Sequence, residues 1–220
     1  MMQSQSPYFE LQEVKLLRTH LHFLYEQSVE WNNRHSKDVG FSRQEEIVSR
    51  FIPSTLNLVF SFHELLLQGW LYPAEVLVRP FAERLGTLTY FATNPKEAIK
   101  KWDDGWKMGK RPSLEERLKL LPTTSTSPML SQIDWNAVKE AKDIVISLTD
   151  SLNSAIHGDE YSLYYTLSHR TDDTDNYVMG ADLKNESYAT HLALVMANLT
   201  MFFPLVLAKV FPDFLLGNNQ

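Results

Sequence analysis

Apolar side chains recur at three- and four-residue intervals along nearly the whole chain, the spacing of one face of an α-helix. A first helix is expected over residues 7–33, with Pro7 in its first turn, where a missing N–H costs nothing. Val14, Leu17, Leu21, Leu24 and Val29 fall on one of its faces. Gly40 and Phe41 mark a turn. Ser42 with Glu45 is a capping-box signature, each side chain satisfying a backbone N–H of the other. It opens a second helix over 42–68, which Pro53 bends or restarts and Gly69 ends. A third helix is expected over 73–93, with a kink at Pro80. Asn94 with Glu97 caps a short helix over 94–106, and Ser113 with Glu116 caps one over 113–121. Asp134 caps a helix over 134–158, and a last helix covers 185–210.

The remaining segments do not divide the chain. Residues 1–6 read as a flexible N-terminus, 122–131 as a Ser/Thr-rich loop and 171–184 as a polar loop. There is no internal repeat and no alternating pattern long enough for a sheet. Residues 1–220 therefore read as a single all-α domain, a multi-helix bundle with long central helices kinked at prolines. The helices over 42–68, 73–93, 134–158 and 185–210 are expected at its centre.

Polar positions on the apolar helices are the candidate chemistry. On the 134–158 helix, Val138, Ala141, Val145, Leu148, Leu152 and Ala155 form a core seam. Asn153 and His157 lie one turn apart, away from it, with Asp150 on the same side. They are either a solvated face, with a His favoured by the C-terminal dipole, or the edge of a site. The helix after Pro53 is apolar nearly all round, with a narrow stripe of Asn57, Ser61, Glu64 and Gln68. His63 stands alone among its apolar positions and is expected to be a satisfied core residue. The third helix puts Leu77, Val78, Phe81, Leu85 and Leu88 on one face and Tyr72, Glu75, Arg79, Glu83 and Tyr90 on the other. Arg79 and Glu83 make a surface salt bridge, or Arg79 crosses to Glu64 in a buried ionic network; spacing leaves both open.

Composition mostly excludes. Of 220 residues 44% are hydrophobic, which is enough for a core and too many for wholesale disorder. There is no cysteine, so disulfide scaffolds, zinc ribbons and thiol nucleophiles are out. A net charge of −6 gives no bulk attraction to nucleic acid. The 17 residues from Leu192 to Ala208 carry no charge, but they are short for a membrane span and include Asn198 and Pro204, so a buried core helix is expected. With no signal-peptide pattern, a cytoplasmic protein without a membrane span is expected.

Common catalytic motifs are missing: there is no nucleophile elbow, phosphate loop, dinucleotide fingerprint or HExxH. His20 and His22 are two apart and point to different sides of a helix. His157, Asp159, His169 and Asp172 do not have a spacing that requires a metal, and no metal or cofactor is expected. The lysines of the 96–110 segment with Trp102 and Trp106 resemble a stacking surface, but Asp103 and Asp104 interrupt it.

Two passages together carry a family resemblance. One is Ala74-Glu75-Val76-Leu77-Val78-Arg79-Pro80-Phe81-Ala82-Glu83, and the other Ser151-Leu152-Asn153-Ser154-Ala155-Ile156-His157-Gly158. Their order is similar to HEPN-like helical bundles, among them bacterial families of unknown function, over roughly residues 42–210. In the ribonucleases of that family an Arg lies four to six residues before a His at a helix end, often acting across a dimer. His157 matches the His. The Arg has no counterpart: Asp150, Ser151, Leu152 and Asn153 fill the stretch, and Asp150 has the opposite charge. The resemblance therefore implies a non-catalytic binding or dimerisation module, a possible homodimer, with Glu64, Arg79, Glu83, Asn153 and His157 as candidate ligand-binding residues. The alternative is a ribonuclease or nucleotide-processing enzyme using His157, with Arg79 or Arg170 as the cation. A small-molecule or RNA partner is compatible with this reading but gains no support from the charge.

Overall fold

The computed structural model describes residues 6–35, 40–105, 112–124, 134–147, 181 and 183–215. All described helices pack together, with no strand among these residues. The chain enters through a short 3-10 turn, Pro7–Glu10, capped by Ser6. Leu11 is extended (φ −60°, ψ 137°), so this turn is separate from α1, Gln12–His35, and the first helix starts later than Pro7 suggests. The buried face of α1 is Val14, Leu17, Leu21, Leu24, Ser28 and Trp31. Strict alternation of three- and four-residue steps puts Ser28 on the seam, bonded to the Leu24 carbonyl at 2.7 Å. Val29 lies outside it and is exposed, contrary to expectation.

The second expected helix is two. The capping box of Ser42 and Glu45 forms and opens α2, Arg43–Ser49. After Arg50 the chain restarts as α3, Phe51–Leu67. Pro53 is the cause, since it has no N–H for the Ser49 carbonyl and its ring crowds that oxygen. Gly69, at φ 78°, ends α3 in a Schellman motif: its N–H bonds to Leu66 O (3.0 Å) and that of Trp70 to Leu65 O (2.9 Å). α4, Leu71–Thr93, keeps Pro80 inside it. α5, Pro95–Asp103, starts on Pro95; the Asn94 side chain makes no cap bond, contrary to the expected signature. It stops three residues early because Gly105 is left-handed, at φ 78°. α6, Leu114–Leu118, has its expected capping box. α7, Trp135–Ser147, is capped by the Asp134 carboxylate, which accepts from Asn136 N at 2.9 Å and Ala137 N at 3.3 Å. α8, Glu186–Val210, is capped by Asn185.

The centre of the bundle is α1, α3, α4 and α8. α8 lies against α1 and α4, and α3 packs on α4 and α1. Of the helices expected at the centre, the described part of the 134–158 helix, α7, instead rests on α8 and α6, and α1 takes the central place. α1 buries Trp31 and packs on both α8 and α3, while the described residues of α7 bury Val138, Ala141 and Val145 against α8 and α6. α8 is long and apolar enough to span a membrane, but 78% of its most apolar window is buried inside the protein. Two polar residues lie within its buried stretch: Thr200, which bonds back to Met196 O at 2.7 Å, and Asn198.

Two histidines couple the core to pH, His20 part-buried and His63 buried. The His20 ring nitrogen Nδ1 lies 3.0 Å from the Ala197 carbonyl, linking α1 to α8 as a donor in its neutral tautomer. His63 is buried in α3, with Nε2 unpartnered, so it is a core residue but not a satisfied one. Burial holds both rings below the ordinary value of 6.5. The unfolded chain therefore binds more protons in the window below about 6.5, and stability falls as pH drops through it. The urea midpoint is expected to fall more between pH ~7.5 and ~5.5 for wild type than for His63→Gln. Equal pH dependence of the two proteins would remove His63 from this account.

Candidate functional site

Glu75, Arg79 and Glu83 are spaced four apart and share one stripe of α4. The sequence presents this stripe as an outer face. The structure half-buries it, because α8 covers its N-terminal end and α6 its C-terminal end. At the first end, Tyr188 of α8 donates its hydroxyl to Glu75 Oε2 at 2.5 Å. Burial pushes the Glu75 carboxyl above its ordinary value, and the Tyr188 hydrogen bond opposes this. At the second end, α6 approaches closely because residue 86 is glycine. A Cβ there would lie 3.2 Å from the Leu114 side chain and 3.3 Å from that of Arg117.

That approach delivers Arg117, whose side chain is 2% exposed, to Glu83. Its Nε–H is shared between the carbonyls of Pro112 and Ser113. Nη1 donates to Glu83 O at 3.1 Å and to Thr87 Oγ1 at 2.8 Å, and Nη2 donates to the Glu83 carboxylate. Thr87 in turn donates to Glu83 O at 2.8 Å. The other carboxylate oxygen, Oε1, accepts from Arg79 Nη2 at 2.8 Å. Glu83 is thus held between two guanidinium groups, one on its own helix and one on α6. Arg79 Nη1 is buried and has no hydrogen-bond partner.

Of the residues expected to meet, Arg79 and Glu83 do. Glu64 does not join them: its side chain is 67% exposed and its ion-pair neighbour is His63, at 3.8 Å. The buried network that Arg79 was offered exists, but its third member is Arg117 rather than Glu64. The stripe of Asn57, Ser61, Glu64 and Gln68 is the solvated edge of α3. Asn153, His157 and Arg170, together with Asp150, lie outside the described residues. Sequence reasoning missed Arg117, although a signal was present. A glycine inside a helix marks a close approach, and the Ser113–Glu116 box fixes Arg117 in the helix that makes it.

The other expected features have ordinary partners. His20 turns inward, while His22 is exposed and pairs with Glu26 at 3.1 Å. Trp102 packs against Phe51 and Phe91, and Lys101 donates to the Tyr90 hydroxyl. Among the described residues, no cluster of three His, Asp or Glu is placed to hold a metal ion. Comparison with protein-family models, curated proteins and solved structures gives no match in any of the three.

Proposed function

We propose that the chain is a non-catalytic binding module, a HEPN-like bundle that pairs with a second copy of itself and engages a partner along the polar face of α4. The observation that carries this reading is the engagement of Glu83 by both Arg79 and Arg117. RNA cleavage of the HEPN kind needs a cation to stabilise phosphorane charge and a His to move a proton. Arg79 is already committed to an internal carboxylate, which it shares with Arg117. The missing Arg before His157 and the net charge of −6 point the same way.

A second reading, a ribonuclease or nucleotide-processing enzyme using His157 with Arg79 or Arg170, is favoured by the unpartnered Nη1 of Arg79. One pair of experiments separates the two. Light scattering is expected to give twice the chain mass, and concentrated protein is expected to leave mixed RNA intact. A monomer would overturn self-pairing. RNA cleavage that is lost in His157→Ala would overturn the non-catalytic reading. The same reading expects a cytoplasmic protein that elutes as a sharp peak from gel filtration without detergent.

A further inference from the structure

A cavity of about 420 Å³ opens between α1 and the α2–α3 junction, far from the polar face of α4 in sequence and built from other helices. Its size suits a small organic molecule, since such sites run from about 300 to 1,000 Å³. One wall is aromatic: the rings of Trp31 and Phe41 stack with centroids 5.8 Å apart and planes 10° apart. Pro53 and Leu56, in the first turns of α3, form the other wall, and Val29 lies on the rim. The restart forced by Pro53 sets α3 off from α2 and places Arg50 at the mouth.

The charges at this cavity are specific. Its lining holds Arg50, His35 and Asn32 and no carboxylate; Glu46 pairs with Arg50 from outside the lining and Asp213 with His35. The Arg50 side chain is 70% exposed and is steadied by Glu46, which accepts from Nη2 at 2.5 Å. One of its five N–H donors is spent there, and the fork stays open toward solvent. The hydroxyls lining the cavity offer less: Ser28 donates to Leu24 O at 2.7 Å and Ser49 to Glu46 O at 3.0 Å. The distinctive pairing is therefore an apolar slot with a guanidinium at its entrance.

We propose that this cavity binds a small amphipathic carboxylate, with its apolar body between Trp31, Phe41, Pro53 and Leu56 and its carboxylate on Arg50. The site is independent of the reading given above for α4, because none of its residues belongs to that face. Titration calorimetry of the full chain with octanoate, octylamine and 1-octanol tests it. Octanoate is expected to bind at least tenfold more tightly than octylamine. Arg50→Gln changes an exposed side chain and is expected to weaken octanoate about five- to tenfold, the scale of one charge-assisted hydrogen bond, while leaving 1-octanol unchanged. Val29→Trp, which adds bulk at an exposed rim position, is expected to abolish binding of all three while the circular dichroism spectrum stays that of wild type. Equal affinity for octanoate and octylamine would overturn the proposal. So would an Arg50→Gln protein that binds octanoate like wild type, a folded Val29→Trp protein that still binds, or no octanoate binding by folded wild type.

Discussion

Glu83→Ala is expected to destabilise the protein by about 3–5 kcal/mol, the cost of leaving a buried charge without its partner. The charge in question is Arg117, 2% exposed at its side chain, whose Nη2 donates to the Glu83 carboxylate. Truncating Glu83 also releases Arg79, whose Nη1 is already unpartnered. Arg117→Met is expected to cost much less. It removes the buried cation itself, and Glu83 keeps Arg79. The double variant Glu83→Ala/Arg117→Met should therefore be more stable than Glu83→Ala alone, a coupling that urea denaturation of the four proteins reads directly. If Glu83→Ala shifts stability by less than about 0.5 kcal/mol, the network is a surface ornament.

Phe203→Ala is expected to cost about 3–5 kcal/mol, the range for emptying a buried aromatic position. Phe203 is fully buried in α8, and its ring meets that of Phe81 on α4 at 6.1 Å. The measurement also settles how α8 is used. If its apolar surface faced lipid, removal of one ring would leave folding in aqueous buffer nearly unchanged. If α8 is the core helix described above, the urea midpoint falls steeply.

The residues that made the fold legible are those whose effect is local. Ser42 with Glu45, Ser113 with Glu116 and Asp134 each cap the helix they were expected to cap, because a cap needs only the next three residues. Gly69 and Pro53 act through their own backbone. Asn94 failed because Pro95 begins the helix whatever the side chain before it does. Non-local facts were not legible. Whether α1 or α7, the described part of the 134–158 helix, sits at the centre depends on which face finds a partner, and the α7 seam looks just as regular. For the site, the pairing of Arg79 with Glu83 follows from their four-residue spacing. Arg117 lies 34 positions beyond Glu83, and its arrival depends on α6 closing over Gly86. Glu64 looked equivalent in a helical projection, but the projection does not say which stripe a neighbour covers.

The pairing of α1 with α8 has a consequence for how the chain reaches this state. His20 meets Ala197, and Asn185 N–H meets the Tyr8 hydroxyl at 3.0 Å, each across 177 positions. At a synthesis rate of about 5–20 residues per second, α1 waits roughly 9–35 s for its partner. During that time its seam of Leu17, Leu21, Leu24 and Trp31 has no α8 to cover it. A bundle closed by its two sequence-distant helices has a high contact order for an all-helical fold, so its final closure is slower than local helix formation. Nascent chains stalled before α8 would thus expose an apolar stripe that the finished protein hides, and would be recognised by chaperones that bind such surfaces.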